Sequence, residues 1–439
     1  MIHDDDVQRF IEILVGLGFR EALVARPQHV DGIRHFYGLD ERSGRLVDVH
    51  AHERLVIGDD ATKNYHVPIE HSYLASTIAA GHFEIPEPEM EFALLVVRMM
   101  LKHGTPEALL TGRGRLSVTE RRELAHLERR LDPASLGAGL ARAGFLDVSL
   151  IDRCRRSFEP GTALQSRLDA WSLLRPRLAP FARRARAADV WLQASRRIAG
   201  RSRRYALHRP RRKRLSTGGA VVAVVGSDGA GKSTAIRGLR RWLAPVFWVV
   251  SVHLGKPRRS PSWLALRGLA RLSRSLRPVR DGTPQRTPGP GPLAPQGVIG
   301  TLTAVATARD RLRASERAHR LASRGAIVLC DRYPMSQIAT DGARLGRTKE
   351  RAEGVIARRS EALERRCYER IRRPDVTLVL GVDPEVAVAR RPTDDPSVIR
   401  GRSKEILEAD WPDDVVRLDA EAPVTDVLSA LRAEIWKRL

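Results

Sequence analysis

Residues 220–234 read AVVAVVGSDGAGKST, and this stretch decides the fold. Its first six residues form an apolar run without alternation, the pattern of a strand buried on both faces. The run opens into Gly226-Ser227-Asp228-Gly229-Ala230-Gly231-Lys232-Ser233-Thr234, which fits the spacing G-x4-G-K-[ST]. A helical pattern over residues 234–243 follows. Gly226, Gly229 and Gly231 let the backbone turn tightly and aim N–H groups at phosphate oxygens, while the helix N-terminus adds its dipole. Lys232 is the residue to bridge the β- and γ-phosphates, and the Ser233 hydroxyl the one to meet Mg2+.

Beyond the loop, residues 326–330 (AIVLC) and 376–382 (VTLVLGV) are two more continuous apolar runs, separated by helical patterns. Strands of this kind with helices between them predict a parallel sheet covered on both faces. The fold class is therefore α/β, a P-loop NTPase parallel sheet with flanking helices over residues 217–439. Within it, residues 281–297 (DGTPQRTPGPGPLAPQG) form a Pro/Gly loop without core potential.

Towards the N-terminus the character changes. Residues 105–216 carry 26 basic and 10 acidic side chains and read as a helical, arginine-rich segment. Phe181, Ala185, Ala188, Trp191, Leu192 and Ile198 fall at helical spacing with Arg183, Arg184, Arg186, Arg196 and Arg197 interleaved, and Arg211–Arg214 (RRKR) closes the segment. A solvated linker is the favoured reading, with peripheral membrane contact as the runner-up. Residues 1–104 read as a small α/β domain: a helix from Asp4 to Leu17, strands over residues 22–26, 34–38 and 45–50, then helices over 69–80 and 88–103.

Composition bounds the rest. The 439 residues are 42% hydrophobic and 29% charged, enough apolar material for two or three cores. The net charge is +24, of which residues 1–104 contribute −7. Aromatics are only 5%, and no nucleic-acid-binding motif is present, which argues against a base-stacking platform. No apolar run reaches transmembrane length, and the acidic start MIHDDDVQRF lacks the apolar core of a secretory leader. Cys154, Cys330 and Cys367 form no CxxC pair, so neither a disulfide framework nor a zinc site is expected, and a reducing cytoplasm fits.

The motifs taken in order resemble those of thymidylate kinases. The loop Asp228-Gly229-Ala230-Gly231-Lys232-Ser233, the element Asp331-Arg332-Tyr333 after an apolar strand, RPDVTLVLGVDPEVAVAR over 373–390 and VVRLDAEAPVTDVLSALRAEI over 415–435 are the carriers, spanning residues 218–439. The resemblance implies ATP and Mg2+ as cofactors and a nucleotide or other phosphorylated small molecule as acceptor. It implies that Gly226 to Thr234 cradle the donor phosphates, that Asp228 faces the acceptor's sugar, that Ser233 and Asp331 serve Mg2+, and that Arg332 grips the acceptor phosphate. It further implies that Arg390 flanks the adenine, that Arg309 or Arg311 meets the acceptor, and that Arg400 or Arg402 closes on the transferring phosphoryl, since Gly229 stands where some members carry an arginine. A second copy of the chain, as a homodimer, is a further candidate partner. Two departures bear on the acceptor: Thr340 and Asp341 replace the residues that hold the base, and Val225 replaces a frequent glutamate.

Residues 1–104 resemble a truncated or degenerate nucleotidyltransferase domain. IRHFYGLDERSGRLVDVHAH (33–52) is similar to the strand pair that carries that family's third carboxylate, here Asp48, but the Gly-Ser element and the D-x-D strand are absent. One carboxylate cannot hold two metals. His50 and His52 share one strand face and form a second metal candidate. Three functions follow: a thymidylate kinase-like phosphotransferase, a nucleotide-binding regulatory or assembly module without kinase activity, or a kinase of a non-nucleotide acceptor.

Overall fold

The computed structural model describes residues 1–25, 29–81, 83–132, 134–142, 144–202, 212–255, 257, 259–275, 297–338 and 355–439. Arg26, Arg211, residues 281–296, Thr340 and Asp341, all within stretches read above, lie outside the described residues. The chain divides into two compact units, residues 1–38 with 48–211 and residues 39–47 with 212–439.

The first unit begins with a 3-10 turn, Asp4–Asp6, which leads into α1 (Val7–Gly16). The strands β1 (Arg20–Leu23), β2 (Ile33–Asp40) and β3 (Arg45–His52) lie side by side in the order β3-β2-β1. Leu14, Phe36 and Ala51 are the buried centre of this layer. Two short strands, β4 (Val56–Ile57) and β5 (Tyr65–His66), pair across the loop 58–64. The helix expected over residues 69–80 is shorter: α2 (Glu70–Ala75) stops, and β6 (Thr77–Ala80) pairs antiparallel with β7 (Phe83–Pro86). Gly81, at φ +65°, supplies the left-handed residue that the hairpin turn needs.

The remainder of this unit is helical: α3 (Pro88–Met99), α4 (Pro106–Leu110), α5 (Val118–Glu128), α6 (Leu136–Ala141), α7 (Val148–Arg156), α8 (Leu164–Leu178) and α9 (Arg186–Arg201). α3 is apolar around most of its circumference and is correspondingly central. Met90, Leu94, Val97 and Met100 share one core with Ile57, Leu127, Leu140, Ile151, Trp171 and Leu178. A division at residue 104 therefore does not separate two cores, because α3 packs on α5, α6 and α7.

The second unit holds β8 (Arg214–Leu215), β9 (Ala220–Gly226), α10 (Lys232–Leu243), β10 (Val249–His253), α11 (Pro261–Ser275), α12 (Gly297–Ala322), β11 (Ile327–Asp331) and α13 (Val355–Glu369). It ends with β12 (Val376–Gly381), α14 (Pro384–Ala389), α15 (Pro396–Glu408), β13 (Val416–Asp419) and α16 (Val424–Arg438). Five strands form an all-parallel sheet in the order β10-β11-β9-β12-β13. The uninterrupted apolar reading of β9 has its cause here. Val221, Ala223 and Val225 pack with Ala318 and Ala322 of α12 and Ile406 of α15. Val222 and Val224, which alternate to the other face, are equally buried. The chain leaves β9 towards β10 and β11 on one side and towards β12 and β13 on the other, so a topological switch point falls at its carboxyl end.

Candidate functional site

The loop after β9 opens at that switch point. Gly229 has φ +93° and runs so close to α14 that a Cβ there would stand 2.7 Å from the Ala387 carbonyl oxygen. Only glycine satisfies both conditions at once. Gly231, at φ +82°, caps the N-terminus of α10. Ala235, Ile236, Leu239 and Leu243 bury one face of that helix, which fixes its first turn beneath the loop. Ala230 is buried, whereas Ser233 and Thr234 are exposed on the opening turn.

Lys232 is buried and folds back over the loop, donating from Nζ to the carbonyls of Gly226 at 2.8 Å and Ser227 at 2.6 Å. Its ammonium also lies 4.0 Å from Asp228 Oδ1. Two arginines from other elements converge on the same carboxylate. Arg332, just past β11, donates to Asp228 Oδ1, and Arg402 of α15 donates to Asp228 Oδ2. Burial pushes the Asp228 carboxyl up, but Arg332, Lys232 and Arg402 outweigh that and hold it below the ordinary value. Arg332 adopts φ +52°, a left-handed conformation that costs a non-glycine residue free energy and turns the chain at the end of β11.

Asp331 precedes it in the same strand end. Its Oδ1 is buried without a hydrogen-bond partner, and its Oδ2 lies 3.7 Å from His253 Nε2. His253 and Asp331 are register partners at the carboxyl ends of β10 and β11. Sequence reasoning missed His253, and with it Gly255, where a Cβ would stand 2.5 Å from Arg332 Cδ. The apolar run that ends in His253-Leu254-Gly255 was the available signal.

For Mg2+, the donor set present is two hard oxygens, the orphaned Asp331 Oδ1 and the exposed Ser233 hydroxyl. Among the described residues no group of three or more His, Cys, Asp or Glu is arranged for a metal ion.

Beside the loop lies a cavity of about 310 Å³ whose wall includes Gly229, Thr234, Ala235, Arg390, Val424 and Leu428. Arg390 donates to the Ala420 carbonyl at 2.9 Å and approaches that of Gly229 at 3.5 Å, so its guanidinium forms part of the rim.

The remaining arginine candidates separate by environment. Arg400 is exposed and doubly paired with Glu385 of α14, at 2.6 and 2.9 Å, whereas Arg402 points to Asp228. Arg309 is exposed on α12. Arg311 is buried and donates to the Tyr368 hydroxyl of α13 at 2.8 Å. Ser336 and Ile338 follow Tyr333, which is itself buried and bonded to Ser315, His319 and the Arg372 carbonyl.

In the first unit, Asp48 accepts a hydrogen bond from the Tyr37 hydroxyl at 2.8 Å and lies 3.8 Å from His35 Nδ1. The His50 ring stacks on His35 at 4.2 Å and sits 4.5 Å from His52. The interleaved arginines of the α9 region turn inward: Arg196 donates to the Ala61 carbonyl, Arg197 to Asp59 and Arg184 to Asn64. Trp191 and Ile198 remain exposed. No helix among the described residues is long and apolar enough to cross a membrane. Compared with known protein families and with curated proteins, the chain gives no match.

Proposed function

We propose that the second unit is an ATP- and Mg2+-dependent phosphotransferase of the P-loop NTPase class, similar to thymidylate kinases and acting on a phosphorylated small-molecule acceptor. One observation carries this reading: Lys232, Arg332 and Arg402, from three separate segments, converge around the glycine loop at the carboxyl edge of the parallel sheet. Phosphoryl transfer asks little covalent chemistry of a protein, and charge neutralisation with in-line positioning supplies most of the rate.

The roles divide by position. The loop glycines and the first turn of α10 receive the donor phosphates, and Lys232 swings from its loop carbonyls onto them. The cavity beside Arg390 takes the purine, its size at the lower end for a ligand pocket. Arg332 offers a planar fork to the acceptor phosphate and Arg402 meets the transferring group. Ser233 and Asp331 would hold Mg2+, which when bound neutralises charge on the β- and γ-oxygens.

The test is ADP release from the purified full chain with ATP and Mg2+, across dTMP, dUMP, other nucleoside monophosphates and no acceptor. Stimulation by a monophosphate that Lys232→Ala lowers at least about a hundredfold is the expected result. ATP binding without stimulation by any monophosphate would transfer the reading to a non-nucleotide acceptor or a nucleotide-binding module. A chain that binds no ATP would overturn it.

A further inference from the structure

Both oxygens of Asp228 are engaged, one by Arg332 and the other by Arg402, with the Lys232 ammonium 4.0 Å away. The three cations come from α10, the end of β11 and α15, elements that share no local sequence. The Asp228 carboxylate lies at their meeting point.

The details favour a replaceable contact over a permanent staple. The Asp228 side chain is 18% exposed, so water can reach its ion pairs during an exchange. Asp228 itself sits on the glycine loop between Gly226 and Gly229. A phosphate group bears more charge than a carboxylate and offers three acceptor oxygens, so it can take over both guanidinium forks and the ammonium together.

We infer that Asp228 is an internal counter-anion: it holds Arg332 and Arg402 in place before a ligand binds and is displaced from both by the oxygens of an incoming phosphate. This rests on the phosphate-handling reading above and adds a positioning role to it. Asp228 thereby couples α15 to the loop before any ligand arrives, and it sets a threshold that weak or singly charged anions do not cross.

The experiment is calorimetric binding of inorganic tripolyphosphate to the full chain, in wild type, Asp228→Asn, Asp228→Ala, Arg402→Ala and the Asp228→Asn/Arg402→Ala double variant, with thermal melts as the folding control. Removing the carboxylate charge raises tripolyphosphate affinity about tenfold at low salt, a gain that shrinks as salt rises. In the Arg402→Ala background the same removal gains at most about threefold, because one of the two displaced contacts is already gone. Wild-type binding with equal or weaker binding by both folded Asp228 variants overturns the inference alone. It would mean that Asp228 organises the arginines and does not compete for them. No binding by the wild type overturns the phosphate reading and this inference with it.

Discussion

Asp59 in the first unit and Asp228 in the second each hold two arginines, yet the two clusters are built for different ends. Asp59 pairs with Arg113 and Arg197 and accepts the Ala61 backbone N–H at 2.9 Å. Around it the neighbouring arginines end on fixed groups: Arg196 on the Ala61 carbonyl and Arg184 on the Asn64 side chain. The Asp59 side chain is only 5% exposed, and the cluster closes the loop 58–64 onto α9. Asp228, at 18%, stands instead on the glycine loop beside the buried Lys232. The same ingredients are enclosed around Asp59 and stand at the edge of the glycine loop around Asp228.

The comparison predicts unequal costs. Asp59→Ala removes both ion pairs and the turn contact from a buried position, and should cost about 2–4 kcal/mol. Asp228→Ala removes its ion pairs from a more exposed position and should cost less than Asp59→Ala. Urea denaturation of both variants measures the difference, and equal losses would dissolve the distinction between the clusters.

The second contrast lies within α15. Arg402→Ala should lower turnover about a hundredfold by removing a donor from the developing charge. Arg400→Ala, which breaks only an exposed pair with Glu385, should change turnover by less than about twofold. If the two variants behave alike in the ADP-release assay, the convergence on Asp228 does not identify the active arginine.

The smallest effect separates the units by pH. Burial first, and then the positive neighbours His50 and the N-terminus, push His52 down to about 4. The fold favours its neutral form, so as pH falls below 6.5 the unfolded chain takes up the proton first and the first unit loses stability, until about pH 4. After allowing for its remaining solvent contact, roughly 1–2 kcal/mol is at stake. The depressed Asp228 works in a lower window: its stabilisation is full above the ordinary value of 3.8 and is lost as pH falls through the folded value. Thermal melts from pH 7 to pH 4 should show His52→Gln losing less than wild type, and equal slopes would remove His52 as the cause.

How much of this could be read in advance differed between the units. The glycine loop, β9, β11 and β12 were legible because a strand buried on both faces leaves a continuous apolar run, and because a tight turn onto a helix N-terminus demands glycine at fixed spacing. The strand β6 was read as part of a helix, since residues 69–80 hold too few turn signals and Gly81 lay just beyond them. The α9 arginines were read as solvated or membrane-facing. Helical spacing places them on a face but does not say that the loop 58–64 offers that face carbonyls and Asp59.

The sequence by itself determined that residues 220–234 make a strand, a glycine turn and a helix, because those are local demands of backbone geometry and apolar burial. It also presented Asp228, Asp331, Arg332, Arg400 and Arg402 as candidates without ranking the last two. Only the tertiary structure decided that Arg402 and Arg332 share one carboxylate, that Arg400 is bound to Glu385, and that His253 stands beside Asp331. The reason is the order of the strands. A parallel sheet gathers the carboxyl ends of β10, β11 and β9 at one edge although more than a hundred residues of chain separate them in part. Side chains meeting at that edge have no spacing in sequence by which to be recognised.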